Sequence, residues 1–319
     1  MSYTSINLDL NNITSHNELI THFNSGYTLR YGDSLTIYIN LNTFNQLYPD
    51  YLLLISCFIN NISSKGVNIT TKFLDFKHDS NRTKYASRIN FFKSIGFAYE
   101  ENFNRSYSNG RFTEMSFFDK NNATDIFNSI MSVLIRNSVN ENLLIGLDFC
   151  IWEIIDNTIN HSESSFSYNG KGFVCAQFYP YRHEIRLIIA DSGIGIHKSL
   201  TIHPNTKYAN LSEEEALRKS IQRGITNSEG MGFGLWATAE LIKNNNGRLI
   251  IHSGNYQLDT KSDDLVKKSP NWEGTYTFIS INTLNKIDYS NVFNDVETRI
   301  DLLNEKKDEI SNDNLDDLW

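Results

Sequence analysis

The sequence predicts an α+β fold in which a small α/β region precedes a larger domain of helices and strands. Its 319 residues are enough for about two domains. Strand-like and helix-like segments alternate through residues 1–110, and a long amphipathic helix followed by well-separated strand candidates dominates the remainder. A polar, turn-rich stretch at 102–110 separates the two regions. We therefore expect domains at 1–110 and 111–285, followed by an acidic tail at 286–319.

The composition is that of a globular protein, with 40% hydrophobic residues, 21% charged residues and a net charge of −8. The negative charge, together with the lack of a long Lys/Arg block, argues against general electrostatic binding of nucleic acid or of an anionic membrane. The scarcity of proline and the abundance of asparagine are typical of an AT-rich bacterial genome.

The cysteines and the N-terminus indicate a reducing compartment. Cys57, Cys150 and Cys175 are odd in number, scattered and flanked by apolar residues, which predicts buried, reduced thiols and not a disulfide framework or a zinc site. The first residues lack the charged start and apolar run of a signal peptide. No apolar run approaches the roughly 20 residues that span a bilayer. We expect a cytoplasmic protein without a membrane segment.

Four elements are predicted in the N-terminal region. Strand candidates lie at 34–41 and 67–73, because both are rich in β-branched and apolar residues. Helix candidates lie at 47–62, which Gly66 ends, and at 89–95. This β-α-β-α order resembles the STAS fold of the anti-sigma-factor antagonists. The alternative is any other small α/β accessory domain.

The second region alternates helices with strands as far as about residue 281. Strands are predicted at 111–118, 173–179, 183–190, 248–253 and 274–281. Helices are predicted at 123–136, 140–160, 212–223 and 235–244.

The helix predicted at 140–160, with the residue that follows it, carries a polar stripe. Glu153, Asn157 and His161 recur every four residues and therefore lie on one face of an α-helix. The remaining faces are rich in Leu and Ile, as a helix packed against a core requires. An acid, an amide and an imidazole on such a helix suggest a functional site. The alternative is an amphipathic helix whose exposed face happens to carry these residues.

A first glycine-rich signal follows a strand candidate. The strand at 183–190 runs directly into Asp191, which is followed by Gly193 and Gly195. Glycines at this point let the backbone approach a planar ligand, and the carboxylate can accept a hydrogen bond from an exocyclic amine such as that of adenine. The alternative is a tight turn without a ligand.

A second glycine-rich signal precedes the helix at 235–244. Gly230, Gly232 and Gly234 alternate there and offer unobstructed N–H groups, which suit phosphate oxygens. The stretch lacks the Gly-Lys-Ser/Thr of a P-loop, and a polar loop precedes it, so it is not a dinucleotide-binding fingerprint. Further on, Thr275 opens the last strand and could offer its hydroxyl to a phosphate or a water.

Together these motifs resemble the nucleotide-binding domain of the GHKL superfamily, which comprises gyrase-type topoisomerases, the large heat-shock chaperones, histidine kinases and MutL. The matching residues are Glu153, Asn157 and His161 of the N-box, Asp191, Gly193 and Gly195 of the G1 box, Gly230, Gly232 and Gly234 of the G2 box, and Gly274 and Thr275 of the last motif. The resemblance covers about 123–285. It implies a Bergerat α/β sandwich, with a mixed sheet covered by helices on one face.

The resemblance implies that the cofactors are ATP and Mg²⁺. By position in the motifs, Asn157 corresponds to the Mg²⁺ ligand, Asp191 to the adenine contact and Glu153 to a general base for water or a substrate hydroxyl. The residues implied in nucleotide contact are Asn157, Asp191, Gly193, Gly195, Ile196, Gly230, Met231, Gly232, Phe233, Gly234, Leu235 and Thr275. For His161, helix support and ligand contact both stay open.

The segment at 196–229 corresponds to the mobile lid that the family closes over ATP. It contains the charged helix predicted at 212–223. The alternative is an ordinary surface loop.

The flanking segments disfavour several subtypes. Histidine kinases carry the phosphorylated His in helices just before the N-box, and the helix at 123–136 contains none. Too few residues follow 285 for the transducer domain of the gyrase and MutL types. The Glu-x-x-x-Asn-x-x-x-His form of the N-box is closest to that of the anti-sigma-factor serine kinases, which act on STAS partners.

Two functions therefore stay open. The first is an enzyme that hydrolyses ATP or phosphorylates a protein serine or threonine in regulation or signalling. The second is an ATP-gated interaction module with little or no turnover. Both imply a protein partner and allow a homodimer. The tail, which ends in Leu318 and Trp319, suggests a partner-docking or dimerisation helix, with a solvated extension as the alternative.

Overall fold

The computed structural model describes residues 2–42, 47–105, 110–137, 139–162, 172–202, 206–226 and 232–286. The strands are β1 (Tyr3–Asp9), β2 (Ser34–Asn40), β3 (Asn68–Phe73), β4 (Phe112–Phe118), β5 (Gly172–Tyr179), β6 (Glu184–Ala190), β7 (Arg248–Asp259) and β8 (Val266–Asn282). The helices are α1 (His16–Thr21), α2 (Asn24–Tyr27), α3 (Pro49–Ser64), α4 (Asn81–Arg88), α5 (Phe91–Ser94), α6 (Ala123–Arg136), α7 (Glu141–Ser162), α8 (Gly195–Thr201), α9 (Glu213–Ser220) and α10 (Gly234–Asn244). The tail predicted beyond 286 lies outside the described residues.

The N-terminal region is built on a three-stranded parallel sheet in the order β1-β2-β3. The sequence predicts β2, β3 and α3 to within two residues of their observed ends, because each is a clear apolar segment bounded by turn residues. It does not predict β1. The two buried residues of that strand, Ile6 and Leu8, alternate with polar residues, but this short pattern near the N-terminus was not interpreted as a strand.

The second region is built on a five-stranded sheet in the order β4-β5-β6-β8-β7. The α+β fold class is confirmed. The sheet of this region was expected to be mixed, but each pairing described in it is antiparallel, and parallel pairing is confined to β1–β3. Short connections explain the difference, since β5–β6 and β7–β8 are hairpins, which require antiparallel strands.

Helices α6, α7 and α10 cover one face of the five-stranded sheet. Leu143, Leu147, Ile151 and Ile155 of α7 are fully buried in the core on this face. They repeat every four residues and are offset by two positions from the polar stripe that begins at Glu153. Two positions correspond to about 200° of helix rotation, so the apolar residues anchor α7 while the stripe faces away from the core.

The N-terminal region covers the other face. Side chains of α3 share a buried cluster with residues of β5, β6 and β8. A buried polar contact lies inside this cluster. The Nε2 atom of His16 lies 2.7 Å from Oδ2 of Asp50, and Nη1 of Arg186 lies 3.7 Å from its Oδ1. The helices of the second region thus cover one face of the sheet, as expected, and α3 closes the opposite one.

The three cysteines are buried, as predicted. Cys150 belongs to α7 and lies in the core between the helices and the sheet, and Cys57 and Cys175 lie in the cluster between α3 and the sheet. Within the described ranges, no helix combines the length and the apolar character needed to cross a membrane.

Candidate functional site

A cavity of about 650 Å³ lies between α7, the end of β6 and the start of α10. Glu153, Asn157 and His161 of the polar stripe line it, together with Asp191 and Thr275. Residues far apart in the chain are therefore brought together, because α7 and the C-terminal end of β6 lie next to the part of β8 that contains Thr275.

Most of the other predicted site residues line the same cavity. They are Gly195, Ile196, Gly232, Phe233, Gly234 and Leu235. Gly193 is not among them and instead lines a second cavity of about 750 Å³. Gly230 and Met231 lie outside the described residues.

Asp191 is held in place by the backbone on both sides of it. Its Oδ1 accepts hydrogen bonds from the N–H groups of Gly193 (2.7 Å) and Thr275 (3.1 Å). Its own N–H donates to the carbonyl oxygen of Thr275 at 2.8 Å. Burial raises the pKa of its carboxyl group to about 7, although these N–H groups act in the opposite direction. The loop after β6 and the neighbouring part of β8 at Thr275 thus hold one buried acid in a fixed orientation.

The close approach of α7 and α10 requires glycine at position 234. A Cβ atom there would lie 2.6 Å from Oε2 and 2.8 Å from Cβ of Glu153. The Glu153 side chain therefore lies directly on the first residue of α10. Gly234 and Leu235 line the cavity, so the N-terminus of α10, which favours an anionic group, lies beside it.

His161 connects the polar stripe to α8. Its ring nitrogens both lie 3.3 Å from Oγ of Ser199, and the tautomer decides which group donates. Burial lowers the pKa of His161, while the charge of Asp156 opposes this shift. The neutral imidazole is therefore favoured. The contact with Ser199 corresponds to the helix support that was one of the two roles considered for His161. Ser199 itself was not singled out from the sequence.

The segment predicted as a lid forms a wall of the cavity. Its contributions come from α8, α9 and the residues that follow: Ile196, Ser199, Leu200, Ile202, Ser220, Ile225 and Thr226. Helix α9 begins at a capping box between Ser212 and Glu215, close to the predicted start. Helix α8 was not predicted, because it is short and begins inside the glycine-rich turn.

The second cavity lies on the other side of the loop that follows Asp191. It is lined by that loop, by β7 and β8 residues that include Ser253, and by the end of α3. There, Lys65, which directly follows α3, forms an ion pair with Glu273, and Nδ2 of Asn61 donates to Oε2 of Glu273 at 3.0 Å. Glu273 directly precedes Gly274 and Thr275, so the N-terminal region is held next to the candidate site.

Comparison with known families gives one match. Residues 143–282 match the model of a family described as histidine kinase-, DNA gyrase B- and HSP90-like ATPase. The matched segment runs from α7 to the end of β8 and contains the whole polar stripe, both glycine-rich stretches and Thr275. It supports a GHKL-type, ATP-binding ATPase domain in this part of the chain. A search of curated proteins finds no match.

Proposed function

We propose that this protein binds Mg-ATP in the 650 Å³ cavity and hydrolyses it or transfers its γ-phosphate to a protein serine or threonine, as part of regulation or signalling. One observation carries the proposal. Glu153, Asn157 and Asp191 line a single cavity, within the segment that matches the ATPase family. The volume of the cavity is in the range of about 300–1,000 Å³ that is typical of small-molecule sites.

Asp191 is the proposed adenine contact. Two backbone N–H groups fix its carboxyl group, and a fixed acceptor is what a directed hydrogen bond from an exocyclic amine requires. Thr275 lies beside it, since its N–H group is one of the two donors. The base of the nucleotide would therefore lie at the end of β6, beside Thr275 of β8.

Asn157 and Glu153 are the proposed residues at the phosphate end. The amide oxygen of Asn157 is a hard ligand of the kind that Mg²⁺ prefers, and the cation would neutralise phosphate charge. Glu153 lies one turn earlier on the same face of α7 and rests on the start of α10, where phosphate oxygens are favoured. From there it can take a proton from an attacking water or from a serine or threonine hydroxyl.

The wall formed by α8, α9 and residues 225–226 is the proposed lid. Its apolar members, among them Leu200 and Ile225, would exclude water from the nucleotide once the wall closes. Because Ser199 of α8 contacts His161, a movement of α8 would also move the side chain of His161 in the polar stripe.

The N-terminal region is proposed as a regulatory or docking domain with boundaries at 1–110, followed by an ATPase domain at 111–285. Its parallel sheet and covering helix α3 support the STAS-like interpretation in outline. A serine kinase of the anti-sigma-factor type, acting on a protein partner, is the enzyme that fits this combination best. The acidic tail would then serve partner binding or dimerisation.

An ATP-gated switch with little turnover is the second candidate. The contacts of Lys65 and Asn61 with Glu273 favour it, because they join the N-terminal region to the part of β8 that carries Thr275. A nucleotide that moves this part of β8 would then change the position of the N-terminal region.

One assay separates these functions. The full-length protein is incubated with Mg²⁺ and ATP labelled on the γ-phosphate, alone and with a cell extract. Label in free phosphate indicates an ATPase, label on this protein or on another protein indicates a kinase, and bound ATP without transfer indicates a switch. A protein that binds no ATP by calorimetry would overturn the proposal.

A further inference from the structure

A bulge interrupts β7 beside the candidate site. The pairing of β7 with β8 shifts its register on both sides of Gly254, whose φ of +60° lies in the left-handed region. A bulge redirects side chains and bends the strand, and bulges are frequent next to active sites. The residue before it, Ser253, is only 7% exposed.

The side chain of Ser253 bridges two separate segments of backbone. Its Oγ accepts a hydrogen bond from the N–H group of Ile196 at 2.8 Å and donates to the carbonyl oxygen of Gly274 at 3.1 Å. The hydroxyl of Thr275 lies 3.3 Å from the same atom. A single hydroxyl therefore joins the loop after β6 to the part of β8 that contains Gly274 and Thr275.

Glycine at position 195 makes this bridge possible. Gly195 has a φ of +75°, and a Cβ atom there would lie 2.8 Å from Oγ of Ser253. The requirement for glycine in the G1 motif thus has a local cause in this chain, in addition to the approach of a ligand. The loop passes over the serine hydroxyl at hydrogen-bond distance.

We infer that Ser253 is a positioning residue that sets the adenine end of the nucleotide site. It lines the second cavity and not the nucleotide cavity, so it acts through its partners. These partners, Ile196 and Thr275, line the nucleotide cavity, and the N–H group of Thr275 also orients Asp191. The inference rests on the proposed function, since it assigns Ser253 to the same site.

Loss of the hydroxyl has a definite physical consequence. The N–H group of Ile196 and the carbonyl oxygen of Gly274 lose a hydrogen-bond partner, and a buried polar group without a partner is costly. The loop after β6 and this part of β8 are expected to move apart to reach water, and the Asp191 carboxyl group would rotate with them. Binding of a base through an exocyclic amine should suffer more than binding through phosphates.

The test compares two triphosphates on the full-length protein. ATP carries the exocyclic amine at position 6 of the purine, and inosine triphosphate carries a carbonyl oxygen there. For Ser253→Ala we expect the Kd for ATP, measured by calorimetry with Mg²⁺, to rise about tenfold, as for the loss of a single well-placed hydrogen bond. The Kd for inosine triphosphate should change by less than about threefold, so that the preference for ATP narrows.

Two further variants keep the result interpretable. Asn255→Ala alters the same bulge, where Nδ2 of Asn255 donates to Glu213 and not to the loop after β6, so its preference for ATP should equal that of the wild type. Ser253→Cys is nearly isosteric, and sulfur is a weak acceptor, so it should behave like the alanine variant even if that variant folds poorly.

The outcomes are distinct. Unchanged affinity of both Ser253 variants for ATP, or an equal loss for both triphosphates, would overturn the inference while leaving the proposed function intact. If the wild type binds neither triphosphate, the proposed function is wrong and this inference fails with it.

Discussion

On one face of the five-stranded sheet, α6, α7 and α10 bury mainly aliphatic side chains. On the other face, α1 and α3 bury a carboxylate, Asp50, between His16 and Arg186. Aliphatic packing is non-directional and depends on volume, whereas a buried charge must have its partners in place. The first face can therefore leave the polar stripe of α7 available to line a cavity. On the second face, the polar groups hold the N-terminal region against the sheet.

This comparison separates residues that should affect chemistry from residues that should affect assembly. Glu153 and Asp191 belong to the cavity beside the aliphatic face. Asp50 belongs to the contact on the opposite face, and Lys65 lies at the point where the two meet. Substitutions at these four positions test the division, from the largest expected effect to the smallest.

Glu153→Gln tests whether the aliphatic face carries the chemistry. The amide keeps the shape and the contact with Gly234 but cannot accept a proton as a base. We expect phosphate release or phosphotransfer to fall by about 10²–10⁴-fold, with the affinity for Mg-ATP little changed. The rate is measured with γ-labelled ATP and the affinity by calorimetry.

A matched control is Glu214→Gln on α9. Glu214 pairs with Arg218, and its side chain is 44% exposed, so this change should leave turnover within about twofold. Turnover of Glu153→Gln at the rate of the wild type would show that Glu153 is not the base.

Asp50→Ala tests the opposite face. The substitution leaves the buried His16 without its carboxylate partner, whereas the partly buried Arg186 keeps its contact with Glu184. We expect the free energy of unfolding to fall by about 3–5 kcal/mol, measured by denaturant titration. Asp125→Ala, at an exposed position in the first turn of α6, should cost about 1 kcal/mol or less. A loss of similar size in both variants would mean that the buried contact contributes nothing specific.

Asp191→Asn tests whether the buried carboxylate of Asp191 lowers the free energy of unfolding of the protein when it is ionised. In the folded protein, burial raises the pKa of Asp191 to about 7, above the value near 4 of an unfolded chain. The stabilising contribution of this group is therefore complete below about pH 4 and is lost as the pH rises through 7. Asparagine cannot ionise, so the variant should exceed the wild type in free energy of unfolding at pH 8, on the order of 1–4 kcal/mol.

The same variant should bind ATP weakly, because it offers an amide where the adenine amine needs a carboxylate. The stability difference should shrink as the pH falls towards 4. The measurement is a set of denaturant titrations between pH 4 and pH 8, with calorimetry at pH 8. Equal stability of the variant and the wild type at pH 8 would contradict a buried ionised acid at this position.

How much of this could be read from the sequence depends on the range of the interactions involved. Helix α6 has the predicted limits, and the stripe of α7 lines the cavity, because a repeat of four residues is a local signal. The expectation of a mixed sheet came from the family resemblance, although the short β5–β6 and β7–β8 connections favour antiparallel pairing. The coverage of the second face was not predicted, because it depends on which segments meet in space, and spacing along the chain does not record that.

The missed residues show the same limit. Ser253 reaches Ile196 across 57 positions, and Lys65 reaches Glu273 across 208. Serine in a strand and lysine at a helix end are ordinary at the sequence level. Gly195 was the one local signal of the first contact, and its need for a left-handed φ could not be distinguished from the approach of a ligand.

Lys65→Ala tests whether the two faces communicate, and its expected effect is the smallest. Lys65 and Glu273 are each about one third exposed, with side-chain values of 32% and 33%, so their ion pair is worth about 0–1 kcal/mol. One kcal/mol corresponds to about fivefold in an equilibrium constant, which is therefore the largest change expected in the Kd for ATP.

The control is Lys72→Ala, which removes the same charge from β3, where Lys72 lies over the ring of Tyr38, 5.7 Å from its centroid. If the Kd for ATP shifts in the Lys65 variant but not in the Lys72 variant, the contact between the N-terminal region and Glu273 contributes to the affinity for ATP. Identical Kd values for both variants and the wild type would mean that the contacts on the second face hold the N-terminal region in place but do not affect the affinity for ATP.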